Sequence, residues 1–163
     1  MTVLAEQKIE ALLHYYEEKA GLEKTDFFIH PLDFNGPSYL EFFYNEKTGL
    51  ASEIKIVVNK KYVEYPFISL SLCHELGHVE NIRRKRDKRF IDPQTTWEWI
   101  LAEVSADCYA AKIYGKPFKK DMFSWLAKKV CLTIKDFEEK KYKSFILKQL
   151  IVGIARLLSI LLA

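Results

Sequence analysis

The residues with the clearest chemical potential lie at positions 72–78, where the sequence LCHELGH contains the pattern H-E-x-x-H. On a helix, positions i and i+4 lie on the same face, so His74 and His78 can direct two imidazoles at one metal ion. Glu75 would lie about 100° around the helix from His74, which suits a carboxylate that holds a metal-bound water and takes its proton. The pattern therefore predicts a hydrolytic zinc site. The plain alternative is a pair of histidines on a helix surface.

A third ligand is needed, because catalytic zinc usually takes three protein ligands and keeps one position open. No histidine follows His78, and a set of two His and one Glu is a known alternative. Glu103 and Asp107 are spaced i and i+4, so one carboxylate can bind the metal while the other accepts the outer N–H of a ligand histidine. Glu98 competes with Glu103, but it falls in the first turn of the predicted helix, where it forms a capping box with Thr95.

The two motifs together resemble the gluzincin pattern of zinc peptidases, and more closely the ImmA/IrrE-type family of small bacterial and phage metallopeptidases. That family has a short strand, a helix with H-E-L-G-H and a helix with E-x-E-A-N/D-x-F-A-A. Residues 103–111 follow the last motif, except that Ser105 replaces the inner Glu and Tyr109 replaces Phe. The resemblance covers about residues 53–111, roughly a third of the chain, and leaves the ligand position Glu103 intact.

The resemblance implies a cytoplasmic zinc endopeptidase that hydrolyses a protein or peptide substrate. Zn²⁺ would be the cofactor, and Asp107 would orient His74. Because ImmA-like proteins are associated with the control of repressors, a transcriptional regulator is an implied substrate. The implied site is one general base and three metal ligands: Glu75, His74, His78 and Glu103. A second oxyanion donor is also expected, and the candidates are His30, Tyr44 and Tyr109.

The alternative function is a zinc-containing module that binds a regulatory partner without cutting it. Glu75 distinguishes the two hypotheses, because a structural zinc site needs no base and usually has four protein ligands. An intact Glu75 with three identifiable ligands favours the enzyme.

Composition narrows the protein class. The chain has 163 residues, 49% of them hydrophobic, and a net charge of +3, which predicts one domain over 1–163 with a C-terminal helical part over 117–163. This charge is too small to indicate nucleic-acid binding. The basic block 83–89 is either a solvated helix end or a contact for nucleic acid or an acidic partner. The cysteines at 73, 108 and 131 lack disulfide or metal-knuckle spacing, which favours reduced thiols in the cytoplasm, and no signal peptide is recognised.

The predicted elements give an α+β fold, mainly helical with a small two- to three-stranded sheet beside the H-E-x-x-H helix, as in zincins. Alternation and turn signals predict strands at 26–30, 39–44 and 53–58, the last two joined as a hairpin. Substrate could add to the edge of strand 53–58, or that strand could be purely structural. Helices are predicted over 3–20, from Pro66 to Arg84, from Thr95 to before Gly115, and from 118 onward with Thr133 as a cap.

The C-terminal stretch 145–163 is very apolar, and its few polar residues share one arc of a helix: Lys148, Gln149, Arg156 and Ser159. A membrane span is disfavoured because Arg156 would lie near the bilayer centre. An amphipathic helix with a broad apolar face fits better. That face could belong to the core, to an oligomer or partner surface, or to a membrane contact.

Overall fold

The computed structural model describes residues 2–32, 36–45, 47–48, 50–84, 89, 92–127 and 143–162. Most of the basic block, the third cysteine Cys131 and the predicted cap at Thr133 lie outside these residues. The described part contains five helices and one three-stranded sheet, which confirms the predicted α+β class. The helices are α1 (Thr2–Ala20), α2 (Ile68–Arg83), α3 (Thr96–Tyr114), α4 (118–127) and α5 (Lys143–Leu162). The strands are β1 (Asp26–His30), β2 (Ser38–Asn45) and β3 (Leu50–Asn59), and a short 3-10 turn (Lys60–Tyr62) follows β3.

The sheet has the strand order β1-β3-β2, with β1 parallel and β2 antiparallel to β3. Asn45 pairs with Leu50 across the predicted turn, which confirms the hairpin. β3 is paired on both sides, because the parallel partner β1 occupies the edge that sequence reasoning left open to substrate. Of the two alternatives left open for strand 53–58, the pairing on both sides favours the purely structural strand over a substrate-binding edge. Among the described strands, β2 is the one that borders the cleft described below.

Helix α2 runs through the centre of the fold. It is buried on nearly every side, and the side chains of Leu70, Leu72, Leu76 and Val79 have no exposed surface. The alternating residues of β3 and the predicted stripe of α1 pack into the same core: Ile56, Val58, Ile9, Leu13 and Tyr16. The helix begins at Ile68, so Pro66 lies in the turn before it rather than in its first turn. Polar side chains on such a helix need partners inside the protein.

Helices α2 and α3 approach so closely that their backbones are almost in contact. A Cβ atom built on Gly77 would lie 2.5 Å from the backbone oxygen of Ala106, a distance that no side chain tolerates. The G of H-E-L-G-H and the A of E-x-x-A-D thus make one close crossing, and this crossing brings the two motifs face to face. The predicted capping box of Thr95 and Glu98 begins α3, and Gly115, with a positive φ of 94°, follows its last residue.

Helix α5 packs against α3 with the arc that includes Val152, Arg156 and Ile160, all of which are buried. The opposite arc exposes between 42% and 52% of each of four apolar side chains: Leu147, Ile151, Ile154 and Leu158. Across the residues that the structure describes, no helix has the length and apolar character needed to cross a membrane. Arg156, from the polar arc of α5, thus points into the protein, whereas the four residues of the opposite apolar arc remain on the surface.

Candidate metal centre

Three side chains from α2 and α3 converge on one point. The ligand atoms of His74, His78 and Glu103 all lie within 4.8 Å of one another. The two histidines come from successive turns of α2, and Glu103 faces them across the Gly77–Ala106 crossing. The structure therefore brings together all three predicted metal ligands, and the cluster could hold a metal ion.

The spacing of the donor atoms fits a small tetrahedral cation. Nε2 of His74 lies 3.2 Å from Nε2 of His78 and 3.4 Å from Oε2 of Glu103, and Nε2 of His78 lies 3.5 Å from Oε1 of Glu103. Donors held at 2.0–2.2 Å from a tetrahedral zinc ion would be about 3.3–3.6 Å apart. Two imidazoles and a carboxylate also match the donor set of hydrolytic zinc sites. The types of the three residues thus match those of zinc sites, and their donor atoms are close enough to share one ion, with the two contacts to Glu103 ending on different carboxylate oxygens.

Asp107 fixes the orientation of the first histidine. Its Oδ1 lies 2.8 Å from Nδ1 of His74, and both side chains are buried. Because an ionised carboxylate can only accept, Nδ1 donates to Asp107, and Nε2 is the nitrogen that would bind a metal ion once it has lost its proton. Asp107 therefore lies where sequence reasoning placed it, behind His74 and outside the ligand set.

A further residue, Arg156, contacts the site and was not predicted from the sequence. Its guanidinium donates from Nε to Oδ2 of Asp107 and from a terminal nitrogen to Oδ1, both at 2.7 Å. The other terminal nitrogen donates to Oε2 of Glu103 at 2.5 Å. The side chain is 3% exposed and lies over the ring of Trp125, 5.5 Å from its centroid. Helix α5 thus supplies a buried cation that binds both carboxylates of the site.

These contacts shift the pKa values of His74, Glu103 and Asp107. Burial and the Arg156 guanidinium lower the pKa of His74, but the carboxylates of Asp107 and Glu103 outweigh them and raise this pKa to about 9. Burial raises the pKa of Glu103 and of Asp107, but Arg156 and then His74 outweigh it and hold both pKa values below the ordinary range. Both carboxylates are therefore ionised at neutral pH, and in the metal-free site a proton on His74 supplies part of the positive charge.

Glu75 is held beside the cluster rather than in it. It is 6% exposed, and its Oε1 accepts a hydrogen bond of 3.1 Å from the hydroxyl of Ser38, the first residue of β2. The Ser38 hydroxyl is itself 2.6 Å from that of Ser71, one turn before Glu75 on α2. Glu75 and the three metal-ligand residues line the same cleft. This is the position expected for a base that acts on a water next to the metal.

The cleft has a volume of about 420 Å³ and is bounded by the edge strand on one side and helices on the other. Along β2, alternate side chains turn inward, and Ser38, Leu40 and Phe42 all line the cleft. Trp99 and Trp125 add aromatic surface. An extended peptide could lie along β2 with apolar side chains in contact with these walls.

Other predicted residues lie elsewhere. Glu98 accepts backbone N–H groups of Gln94 and Thr95 and is not among the cleft residues, so Glu103, rather than Glu98, is the carboxylate that the structure brings to the two histidines. The three candidate oxyanion donors, His30, Tyr44 and Tyr109, are not among the described residues that line the cleft. Cys73 is fully buried in the core, and burial raises the pKa of its thiol. That environment agrees with a packing role for Cys73.

Comparison of the chain with protein-family models, with curated proteins and with solved structures found no match in any of the three.

Proposed function

We propose that this protein is a zinc-dependent metallopeptidase. One observation carries the proposal: the ligand atoms of His74, His78 and Glu103 lie within 4.8 Å of one another, and a separate carboxylate, Glu75, lines the same cleft. A site built only for structure has no use for Glu75, because four protein ligands close such sites. A buried carboxylate beside three ligands and an open cleft is what hydrolysis requires.

Each residue of the site would have a distinct role in peptide-bond hydrolysis. His74, His78 and Glu103 hold the ion, which when bound lowers the pKa of a water and polarises a carbonyl. Glu75 accepts a proton from the water as it attacks the scissile carbonyl carbon, and then gives that proton to the leaving amine nitrogen as the C–N bond breaks. Asp107 keeps His74 in the tautomer that leaves Nε2 free, and Arg156 keeps Asp107 and Glu103 ionised.

A protein or peptide substrate is favoured by the shape of the cleft. β2 has β3 as its partner among the described strands, and several residues of β2 line the cleft. An extended segment of substrate could bind the outer edge of β2 through backbone hydrogen bonds, which supports cleavage within a chain. A transcriptional regulator as the natural substrate, and the cytoplasm as the location, rest on the resemblance to ImmA/IrrE-type proteins and on cysteine usage.

The test begins with metal content. Purified protein should contain about one zinc per chain, and Glu103→Gln should lose it because the ligand set falls from three to two. Glu98→Gln is the matched control, since it changes the same residue type five positions earlier on α3 without changing the cluster. Zinc retained by Glu103→Gln at the level of the control would contradict the site.

Activity is tested separately with Glu75→Gln. The wild type should cleave denatured casein or a proteome-derived peptide library, with the products identified by mass spectrometry and the activity abolished by a chelator. Glu75→Gln should keep its zinc but lose cleavage by a factor of about 10² or more, because an amide cannot accept the proton. Normal cleavage by this variant would overturn the mechanism.

A second candidate function is favoured by the exposed stripe on α5, formed by Leu147, Ile151, Ile154 and Leu158. Such a surface suits a zinc-containing module that holds a regulatory partner without cutting it. A protein that binds zinc, cleaves no peptide in the library and binds a partner through this stripe would support the module over the enzyme.

A further inference from the structure

Two serine hydroxyls form a short chain of hydrogen bonds that ends on Glu75. Ser71 and Glu75 are i and i+4 on α2, and Ser38 reaches the same place from the start of β2. The oxygens of Ser38 and Ser71 are 2.6 Å apart, and the oxygen of Ser38 is 3.1 Å from Oε1 of Glu75. This chain of contacts links the edge strand to the carboxylate next to the metal cluster.

The direction of the chain follows from the number of protons. A serine hydroxyl has one proton to donate, and an ionised carboxylate can only accept. Ser38 therefore donates its proton to Glu75, and the hydrogen bond between the two serines is donated by Ser71. Oε1 of Glu75 is occupied in this way, and the Glu75 side chain also lines the cleft.

We propose that Ser38 is a positioning residue for the general base, and that Ser71 holds Ser38 in the donating orientation. The inference rests on the proposed function, because Ser38 can position a general base only if Glu75 acts as one. A glutamate side chain has three rotatable bonds, so without a partner its carboxylate samples several orientations. Hydrogen bonds to a charged group are stronger than neutral ones. The contact from Ser38 therefore selects the rotamer in which one oxygen is presented to the attacking water.

The inference also connects the base to substrate binding. Ser38 begins β2, an outer strand of the sheet formed by the described strands, and Leu40 and Phe42 of the same strand line the cleft. A peptide that binds along β2 would stabilise that strand and, with it, the hydroxyl that orients Glu75. Because the Ser38 hydroxyl contacts the general base, its loss should change turnover rather than substrate affinity.

The experiment compares Ser38→Ala, Ser38→Thr and Ser71→Ala in the zinc-loaded full chain. With a cleaved peptide from the library as substrate, Ser38→Ala should lower kcat about tenfold, the loss expected for one hydrogen bond to a charged group, with KM within about twofold. Ser38→Thr retains the hydroxyl and should restore kcat to within about threefold. Ser71→Ala should lower kcat by a smaller factor in the wild-type background and have no further effect on Ser38→Ala, because the two hydroxyls act in series.

The matched control is Ser105→Ala. Ser105 is also half-buried, and its hydroxyl makes a side-chain hydrogen bond of the same 3.1 Å length, to Asn81. It should leave kcat within about twofold of the wild type. An equal fall in kcat for Ser105→Ala and Ser38→Ala would mean that loss of a buried hydroxyl is the cause, and would overturn the inference. So would a normal kcat in Ser38→Ala.

A binding measurement separates this inference from the peptidase proposal. Acetohydroxamic acid binds zinc as its anion, so its hydroxyl proton must pass to a neighbouring base, here Glu75. Calorimetry on zinc-loaded protein should show binding several-fold weaker in Ser38→Ala and normal in Ser38→Thr and Ser105→Ala. If the wild type cleaves nothing but this pattern holds, the peptidase proposal fails while the positioning role stands. Equal hydroxamate affinity in all variants would refute the positioning role.

Discussion

Removal of the Arg156 guanidinium tests the electrostatic design of the site most directly. Arg156 makes three hydrogen bonds of 2.5–2.7 Å to Glu103 and Asp107, and it is 3% exposed. Arg156→Met keeps most of the apolar stem but leaves the buried Asp107 and the half-buried Glu103 without their guanidinium partner. Removal of one partner from a buried ion pair costs about 3–5 kcal/mol. We expect the free energy of unfolding of the metal-free variant to fall by about that amount.

Zinc should offset part of this loss, because the ion restores positive charge beside Glu103. By linkage, a ligand that binds the folded variant more favourably stabilises it more. The measurement is urea denaturation in EDTA and again with saturating zinc. The loss caused by Arg156→Met should be about 1–2 kcal/mol smaller with zinc, a difference we assign to charge compensation in the site.

Two further variants make the result interpretable. Arg156→Lys keeps the charge but not the planar fork that binds Asp107 through two nitrogens, so its loss should be intermediate. It also keeps the test informative if Arg156→Met does not fold, since total stability is only about 5–15 kcal/mol. Lys148→Met, an exposed position on the same helix, should change stability by less than about 0.5 kcal/mol. A loss in Arg156→Met that is no larger than in this control, or that is identical with and without zinc, would refute the reasoning.

Two other predictions follow from the site. The pKa of His74 is raised from 6.5 to about 9 in the metal-free fold, so its protonation contributes stability that is fully present below about pH 6.5 and is lost as the pH rises through about 9. Zinc must displace that proton, so calorimetry at pH 7.5 in buffers of different ionisation enthalpy should show release of about one proton, and a binding enthalpy independent of buffer would contradict the raised pKa. Gly77→Ala would place a Cβ 2.5 Å from the backbone oxygen of Ala106. It should force α2 and α3 apart and lower zinc content well below that of the wild type, whereas normal zinc content and stability would show that the crossing can widen at no cost.

Local patterns were enough to predict most of the elements and the metal cluster. The alternation around Ile56, the turn signals before Leu50 and the capping box at Thr95 each act within a few residues, so the sequence shows them directly. The cluster was accessible for the same reason, because each motif puts its own side chains on one helix face. Motif spacing alone does not show how the two helices cross. The small residues Gly77 and Ala106, one in each motif, are the sequence feature that permits this close crossing.

Contacts between distant segments were less accessible, and the sheet order is one example. β3 pairs with both β1 and β2, and the parallel partner lies before β2 in the chain. The alternation of strand 53–58 is the same for a central strand as for an edge strand with one buried face, so it could not reveal the second neighbour. Ser38 had no signal at all, because a serine at the start of a strand is common and its partner Glu75 lies 37 residues away.

Arg156 differs from Ser38, because charge accounting could have found it. Glu103 and Asp107 were both expected inside the protein, and a metal ion directly compensates only the carboxylate that binds it. The second carboxylate therefore needed another cation in addition to the N–H of His74. An arginine in the apolar stretch 145–163 is costly to bury without a counter-charge. The second carboxylate needs a cation and the arginine needs an anion, so the two can be expected to pair. Sequence reasoning placed Arg156 on a polar arc with Lys148, Gln149 and Ser159 and gave it no partner. Because buried charges must be paired, Arg156 can be expected to contact the carboxylates of the two motifs. This pairing explains why α5, although distant in sequence, contributes to the metal centre.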